Sequence, residues 1–298
     1  MNPENSFMLK MAFTVAEKLK ADAVVLYADP LEDLNFPLKL PRRKIPLILL
    51  SRKKKFEAEQ VNAENTGLHI TSVISLPRIQ MTRVSIIKVA TTLALSGDFI
   101  KPGNIVVFVV GPHDGGFLDL IHIVDTSKES EIITGRGLSK ISETVKPEIF
   151  QAVLNLAVEL ADKGREGKPI GTIFVLGDHE KVLQLSKQMI INPFKGYEED
   201  ERHILHSGLK ETIREFSALD GAFVLTDEGT ILTAGRYLGA AIEESNLPRG
   251  LGSRHLAAAG ITSLTKAIAI AISESSGDVR IFKNGKVVMH IEKGPTKK

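Results

Sequence analysis

Apolar residues fall along this chain in two kinds of run, and the runs alternate. Residues 7–20 carry apolar side chains at helical spacing: Phe7, Met11, Val15 and Leu19. Ala23 to Tyr27 is then apolar at every position, as are Ile45 to Leu50 and Ile105 to Val110, and His69 to Leu76 reads as a further strand. Runs this short and unbroken predict strands buried on both faces. Residues 83–95 return to the helical pattern and stop near Gly97, Lys101-Pro102-Gly103 makes a turn, and Phe117 to Val124 closes the series as a strand. Covered strands alternating with helices predict an α/β domain over residues 1–126.

Residues 127–142 are polar and hold Gly135 and Gly137, so they read as a linker. A long helix follows, with Ser142 or Thr144 as its cap, Val145, Ile149, Val153, Leu156 and Leu160 as its buried stripe, and Gly164 as its stop. Residues 143–298 form the second predicted domain. Its elements are a strand from Ile170 to Leu176, helices near 180–190 and 208–217, and a strand pair, Ala222 to Thr226 and Thr230 to Ala234, turned at Asp227-Glu228-Gly229. A helix starting near 253 comes next, then strands at Ala267 to Ile272 and Val279 to Phe282. Asn284-Gly285 is a hairpin signal before Val287-Val288-Met289.

Composition narrows the classes. The 298 residues suit two domains of roughly 130–170 residues each. A net charge of +2 supplies no basic stripe for nucleic acid; the one basic run, Arg52-Lys53-Lys54-Lys55, reads as a solvated helix start. Zero cysteines exclude disulfides, thiolate zinc sites and a cysteine nucleophile. The N-terminus lacks the apolar core of a signal peptide, and nothing approaches the ~20 apolar residues of a membrane span, so the expected location is the cytoplasm.

Candidate chemistry gathers between Asp220 and Gly277. Asp220 stands at the edge of an apolar strand, followed by the small residues Gly221 and Ala222, which let a flat ligand approach the backbone. The acid can hold a divalent cation or activate a hydroxyl. Gly250-Leu251-Gly252 enters a helix at Ser253-Arg254-His255, where free backbone N–H groups suit an anion. Ser253 can cap that helix or donate to a phosphate, Arg254 can clamp phosphate oxygens and His255 adds a donor. Glu274, just past a strand, is a second potential metal ligand. Each motif alone is equally at home as a turn acid or a helix cap; only the ordered set points to a metal-bound triphosphate.

That set carries a resemblance. The segments IGTIFVLGD, LDGAFVL, TILTAGRYL, GLGSRHLAAAGIT and AIAISESSGDVRIFKNGKVV resemble the diadenylate cyclase domain over about residues 143–290. With the domain before it, the chain looks like the family's archaeal, soluble branch. The N-terminal part, through GDFIKPGNIVVFVVG, resembles the C-terminal domain of pyruvate kinase in fold. The cyclase resemblance implies a central mixed sheet flanked by helices and the joining of two ATP molecules into cyclic di-AMP with loss of two pyrophosphates. It also implies Mn²⁺ or Mg²⁺, and two copies of the domain meeting face to face. It assigns Asp220 to metal and hydroxyl, Gly221 and Ala222 to its Asp-Gly-Ala motif, and Leu238 to packing near adenine. Gly252, Ser253, Arg254 and His255 fall to the triphosphate, and Glu274 to the metal. One position departs: Leu256 stands where the family commonly has a second arginine, and Arg249 or Arg236 is the base that could replace it. A chain keeping this fold without turnover would instead be an adenine-nucleotide sensor.

Overall fold

A computed structural model describes residues 3–31, 44–52, 69–77, 79, 81–112, 115–128, 141, 143–240 and 250–293. The backbone divides into two compact units, Met1–Ile133 and Thr134–Lys293. The basic run beyond Arg52, most of the 127–142 stretch, Ser142 and Arg249 lie outside the described residues.

The first unit holds α1 (Pro3–Lys18), β1 (Ala23–Tyr27), β2 (Leu47–Ser51), β3 (Ile70–Ser75), α2 (Arg83–Ser96), β4 (Ile105–Val110) and β5 (Leu120–Asp125). Its five-stranded sheet runs β3-β2-β1-β4-β5, parallel except for β5, which lies antiparallel to β4. β1 and β2 are buried at every position, as their unbroken apolar runs require. The face that α1 buries differs from the one its i, i+4 pattern suggests. Leu9, Ala12, Phe13 and Ala16 enter the core, while Phe7 is 60% exposed and Leu19 is also exposed. Small residues at 12 and 16 let the helix lie close to the sheet, and that contact outweighs the larger side chains on the neighbouring face.

The second unit contains α3 (Pro147–Lys163), β6 (Ile173–Leu176), α4 (His179–Gln184), β7 (Ser186–Gln188), α5 (Leu209–Phe216), β8 (Ala222–Leu225), β9 (Ile231–Leu238), α6 (Ser253–Leu264), β10 (Ile268–Ile272), β11 (Val279–Lys283) and β12 (Lys286–Ile291). The seven-stranded mixed sheet runs β12-β11-β10-β6-β8-β9-β7, with β6 and β8 parallel and the other pairs antiparallel. β10, Ile-Ala-Ile-Ala-Ile, is its fully buried spine. Ala269 and Ala271 meet Ala258, Ala259 and Ile261 of α6. The isoleucines point to the other face, over which α3 packs with Ile149, Val153, Leu156 and Leu160 buried as the stripe predicts.

Two local expectations change. The helix expected over 180–190 ends at Gln184, and Ser186–Gln188 becomes an edge strand on β9. Ser-Lys-Gln has no alternation to announce a strand; Arg236 of β9 pins it by donating to Ser186 Oγ (2.8 Å), Ser186 O (2.8 Å) and Leu183 O (3.0 Å). Thr144 does not cap α3, which starts instead with Pro147 in its first turn; Thr144 Oγ1 accepts a hydrogen bond from Lys283 Nζ.

The seat of α6 depends on Gly260. A Cβ there would lie 2.1 Å from the Ala240 carbonyl oxygen, a backbone atom that cannot swing aside. Gly260→Ala should therefore destabilise the chain by about 1–3 kcal/mol despite alanine's better helix propensity. Chemical denaturation of the two proteins checks this.

Candidate active site

Three chain segments deliver the charged residues to one place. Asp220 lies two residues before the apolar strand β8, and its Oδ1 accepts a hydrogen bond from the Gly221 N–H (3.0 Å). Arg254 is the second residue of α6. Glu274 follows the end of β10 by two residues. The Arg254 guanidinium sits between the two acids: Nη1 donates to Glu274 Oε2 at 3.0 Å and Nη2 lies 3.6 Å from Asp220 Oδ1. The carboxylates are 82% and 58% exposed, so each keeps lone pairs open to a ligand. Arg254 Nε is buried and has no hydrogen-bond partner, so both of its acidic contacts run through the terminal nitrogens.

Around this triad open two adjoining cavities. One of about 900 Å³ is lined by Gly252, Ser253, Arg254, His255, Glu274 and Arg280, among others. The smaller, about 270 Å³, brings Asp220 to the same Arg254 and Glu274. α6 starts with Gly252 as N-cap in an extended conformation and without a side-chain cap, so its first N–H groups open toward the larger space. Ser253 lies inside the helix rather than at its cap, and its exposed hydroxyl is free for a ligand. The serines after β10 chiefly hold their own turn: the Ser273 and Ser275 hydroxyls are 3.3 Å apart, and Ser276 N–H reaches Ser273 Oγ.

The remaining expected residues sit differently. Gly221 has φ of 106°, and a Cβ would come within 2.7 Å of the backbone of Gly235 and Arg236. The packing of β9 on β8 is thus sufficient to demand a glycine there. Ala222 and Leu238 bury their side chains in the apolar cluster beneath α6 and line neither cavity. Leu256 is partly buried against that same cluster. Arg236, one of the two candidate substitutes for the family's arginine, is occupied in fastening β7.

Three contributors were assigned no role by the sequence. Gly171 leaves room for the triad, since a Cβ would lie 3.1 Å from Arg254 Nη1 and 3.0 Å from Glu274 Cβ. Lys168 lines both cavities. Arg280 of β11 faces the larger one and donates through Nη1 to His255 Nε2 and through Nη2 to Asp278 Oδ2, each at 3.3 Å. Alternation along β11, with Val279 and Ile281 buried on either side, is the signal that could have found Arg280.

Asp220 and Glu274 suit a hard divalent cation. Two carboxylates within reach of one guanidinium offer oxygen donors only, and among the described residues no group of three acidic, His or Cys side chains makes a closed cage. Mg²⁺ and Mn²⁺ fit such partial sites when phosphates and water complete their shell.

His255 is 5% exposed, and its pKa is pushed down to about 4, chiefly by burial and then by Arg280. Arginine can only donate, so Nε2 carries the lone pair and Nδ1 the proton. Below pH 6.5 the unfolded chain takes up a proton that folded His255 refuses until about pH 4. Stability should fall through that window by up to roughly 3 kcal/mol from this group. Thermal melts at pH 7 and pH 4.5 should show a larger loss for wild type than for H255Q.

Comparison with known proteins places these features. Residues 159–287 match the family described as DisA bacterial checkpoint controller nucleotide-binding. Residues 4–134 match Probable sensor domain DacZ_P, the family found where a likeness to the C-terminal domain of pyruvate kinase was expected. A diadenylate cyclase of Methanocaldococcus jannaschii is 41% identical over 211 residues, 70% of this chain and 67% of that protein. Another, of Haloferax volcanii, is 35% identical over 199 residues, 67% of this chain and 72% of that protein. A crystal structure of DacA from Staphylococcus aureus, 24% identical, covers 49% of this chain and 87% of its own with a TM-score of 0.36. The two curated relatives, matched over two thirds or more of their length, establish that the chain belongs to the diadenylate cyclase family.

Proposed function

We propose that this family member joins two ATP molecules into cyclic di-AMP, and that its Asp220–Arg254–Glu274 triad forms half of the site. The observation that carries the reading is one guanidinium holding two exposed carboxylates beside an uncapped helix start. Acidic oxygens for a metal and N–H donors for phosphates thus stand side by side, as a metal–triphosphate requires.

Each ring closure forms a bond between a ribose 3′-oxygen and the α-phosphorus of the other nucleotide. It breaks the bond to the β-phosphate, releasing pyrophosphate and the hydroxyl proton. Two such steps on two ATP molecules form the ring. Equivalent bonds suit a twofold arrangement in which two copies of the domain each present one nucleotide. Alignment of the hydroxyl with phosphorus would supply up to ~7–11 kcal/mol of the rate enhancement.

Asp220 and Glu274 would hold Mg²⁺ or Mn²⁺, which when bound neutralises phosphate charge and favours pyrophosphate as leaving group. Asp220, with its exposed carboxylate, would also orient the attacking hydroxyl or accept its proton. Arg254, which lines both cavities, would donate from its guanidinium to a phosphate oxygen, joined by the first N–H groups of α6 and the Ser253 hydroxyl. Gly221, Ala222 and Leu238 would shape the floor of the nucleotide site through the β8–β9 backbone and core. The first unit, as a member of a sensor-domain family, would regulate the second; its pyruvate kinase-like reading concerns fold and carries no activity. Among the described residues no helix is long and apolar enough to cross a membrane, and the cytoplasm remains the proposed location.

The shared site makes Asp220→Asn dominant. Mixed at equal amounts with wild type and allowed to exchange, it should depress cyclic di-AMP formation below half, because a mixed pair closes at most one bond. Product measured by chromatography against the mixing ratio decides; strict proportionality would exclude a site completed by two copies. The same incubation with ATP and Mn²⁺ separates cyclase from sensor, which would bind ATP and release no pyrophosphate.

A further inference from the structure

We infer that Arg280 binds the triphosphate and supplies the positive charge that Leu256 cannot, with His255 and Asp278 as the residues that position it. This rests on the nucleotide-binding reading above.

Charge near the helix start is the first reason. Arg254 is flanked by Asp220 and Glu274, so one positive charge faces two negative ones. That balance draws a cation, and a polyphosphate needs positive charge from elsewhere. Leu256, on the following part of the first turn, packs into the apolar cluster instead of the cavity. Arg236 is committed to β7. Among the described residues the cations left on the larger cavity are Lys168, on an exposed segment, and Arg280, on a strand.

The second reason is how Arg280 is held. β11 lies between β10 and β12, with Arg280 opposite Ala271 on one side and His290 on the other. Asp278, two residues earlier, accepts from Arg280 and from His290 Nε2 (3.1 Å), and its other oxygen accepts from Lys293 N–H (3.3 Å). One oxygen of this carboxylate is therefore shared between two side chains. His255 anchors the other terminal nitrogen through a lone pair, which fixes the guanidinium in direction and adds no negative charge, so Arg280 faces one carboxylate, shared with His290, where Arg254 faces two. A guanidinium has five N–H donors, and these contacts use two. The other three find no protein partner among the described residues, on a side chain that lines the cavity with Gly252, Ser253 and Arg254. A planar, half-saturated arginine fork beside open helix N–H groups has the chemistry of a phosphate clamp. His255 thus acts through Arg280 as a positioning residue.

The test is calorimetric binding of an α,β-methylene ATP analogue and of adenosine, with Mg²⁺, to the full chain. Arg280→Gln should weaken analogue binding by roughly 10- to 100-fold and leave adenosine binding within about twofold. Arg280→Lys, which keeps charge without the fork, should fall between. His255→Ala should weaken the analogue less than Arg280→Gln, and the double variant should match Arg280→Gln alone within about twofold, as residues acting in series do. Equal analogue binding by wild type and by an Arg280→Gln variant with a cooperative thermal melt overturns the inference and leaves the cyclase reading intact. Equal losses for adenosine and analogue make Arg280 structural only, and additive losses remove His255 from its role. A wild-type chain that fails to bind the analogue overturns both readings.

Discussion

The close approach of α6 to β10 is the constraint on which the second unit depends. Alanines at 258 and 259 on the helix and at 269 and 271 on the strand make a shallow contact. Gly260 brings the same helix against the Ala240 carbonyl with no room for a methyl group. A helix pressed this close to the sheet has its N-terminus set by the packing. Gly252, Ser253 and Arg254 are carried to the ends of β8 and β10, where Asp220 and Glu274 wait. The charged triad is thus a consequence of small-residue packing some distance away.

The site divides into two electrostatic halves. Around Arg254 acids outnumber the base, and donors are oxygens suited to a divalent cation. Around Arg280 there is one acid, Asp278, whose oxygen is shared with His290, and the second partner is a buried, neutral imidazole, so the guanidinium is oriented by one ion pair where Arg254 has two acids beside it. Burial of His255 serves this division. A histidine that protonated near neutrality would repel Arg280 and could no longer accept its N–H. The exposed carboxylates and the buried histidine are adjacent in space, and their environments drive them to different tasks.

The first unit follows the other main α/β plan, a largely parallel sheet whose β1 and β2 are buried at every position. There the strand runs were plain in the residue pattern, whereas the face of α1 was not. Phe7 and Leu19 are larger than Ala12 and Ala16, yet the alanines are the ones buried. Side-chain hydrophobicity marks a helix; the fit to the surface beneath selects its face.

In the site, legibility followed the same line. The motifs Asp-Gly-Ala, Gly-Ser-Arg-His and Ser-Glu-Ser-Ser-Gly were visible as residue strings because glycines and acids at element ends are local events. Arg280, Gly171 and Lys168 were not, since each matters only by what lies across space from it. Gly221 was visible for a reason beyond the one it suggested: backbone from β9 fills the position where its side chain would be. By itself the sequence determined the apolar strands and the main helices, though not β7, and which kinds of chemistry the chain carries, because apolar period and residue type are properties of neighbours in the chain. Which acid meets which base, which helix face is buried, and that His255 holds a lone pair toward Arg280 were decided by the tertiary structure alone. Those depend on distances between residues far apart in sequence and on the loss of water around them.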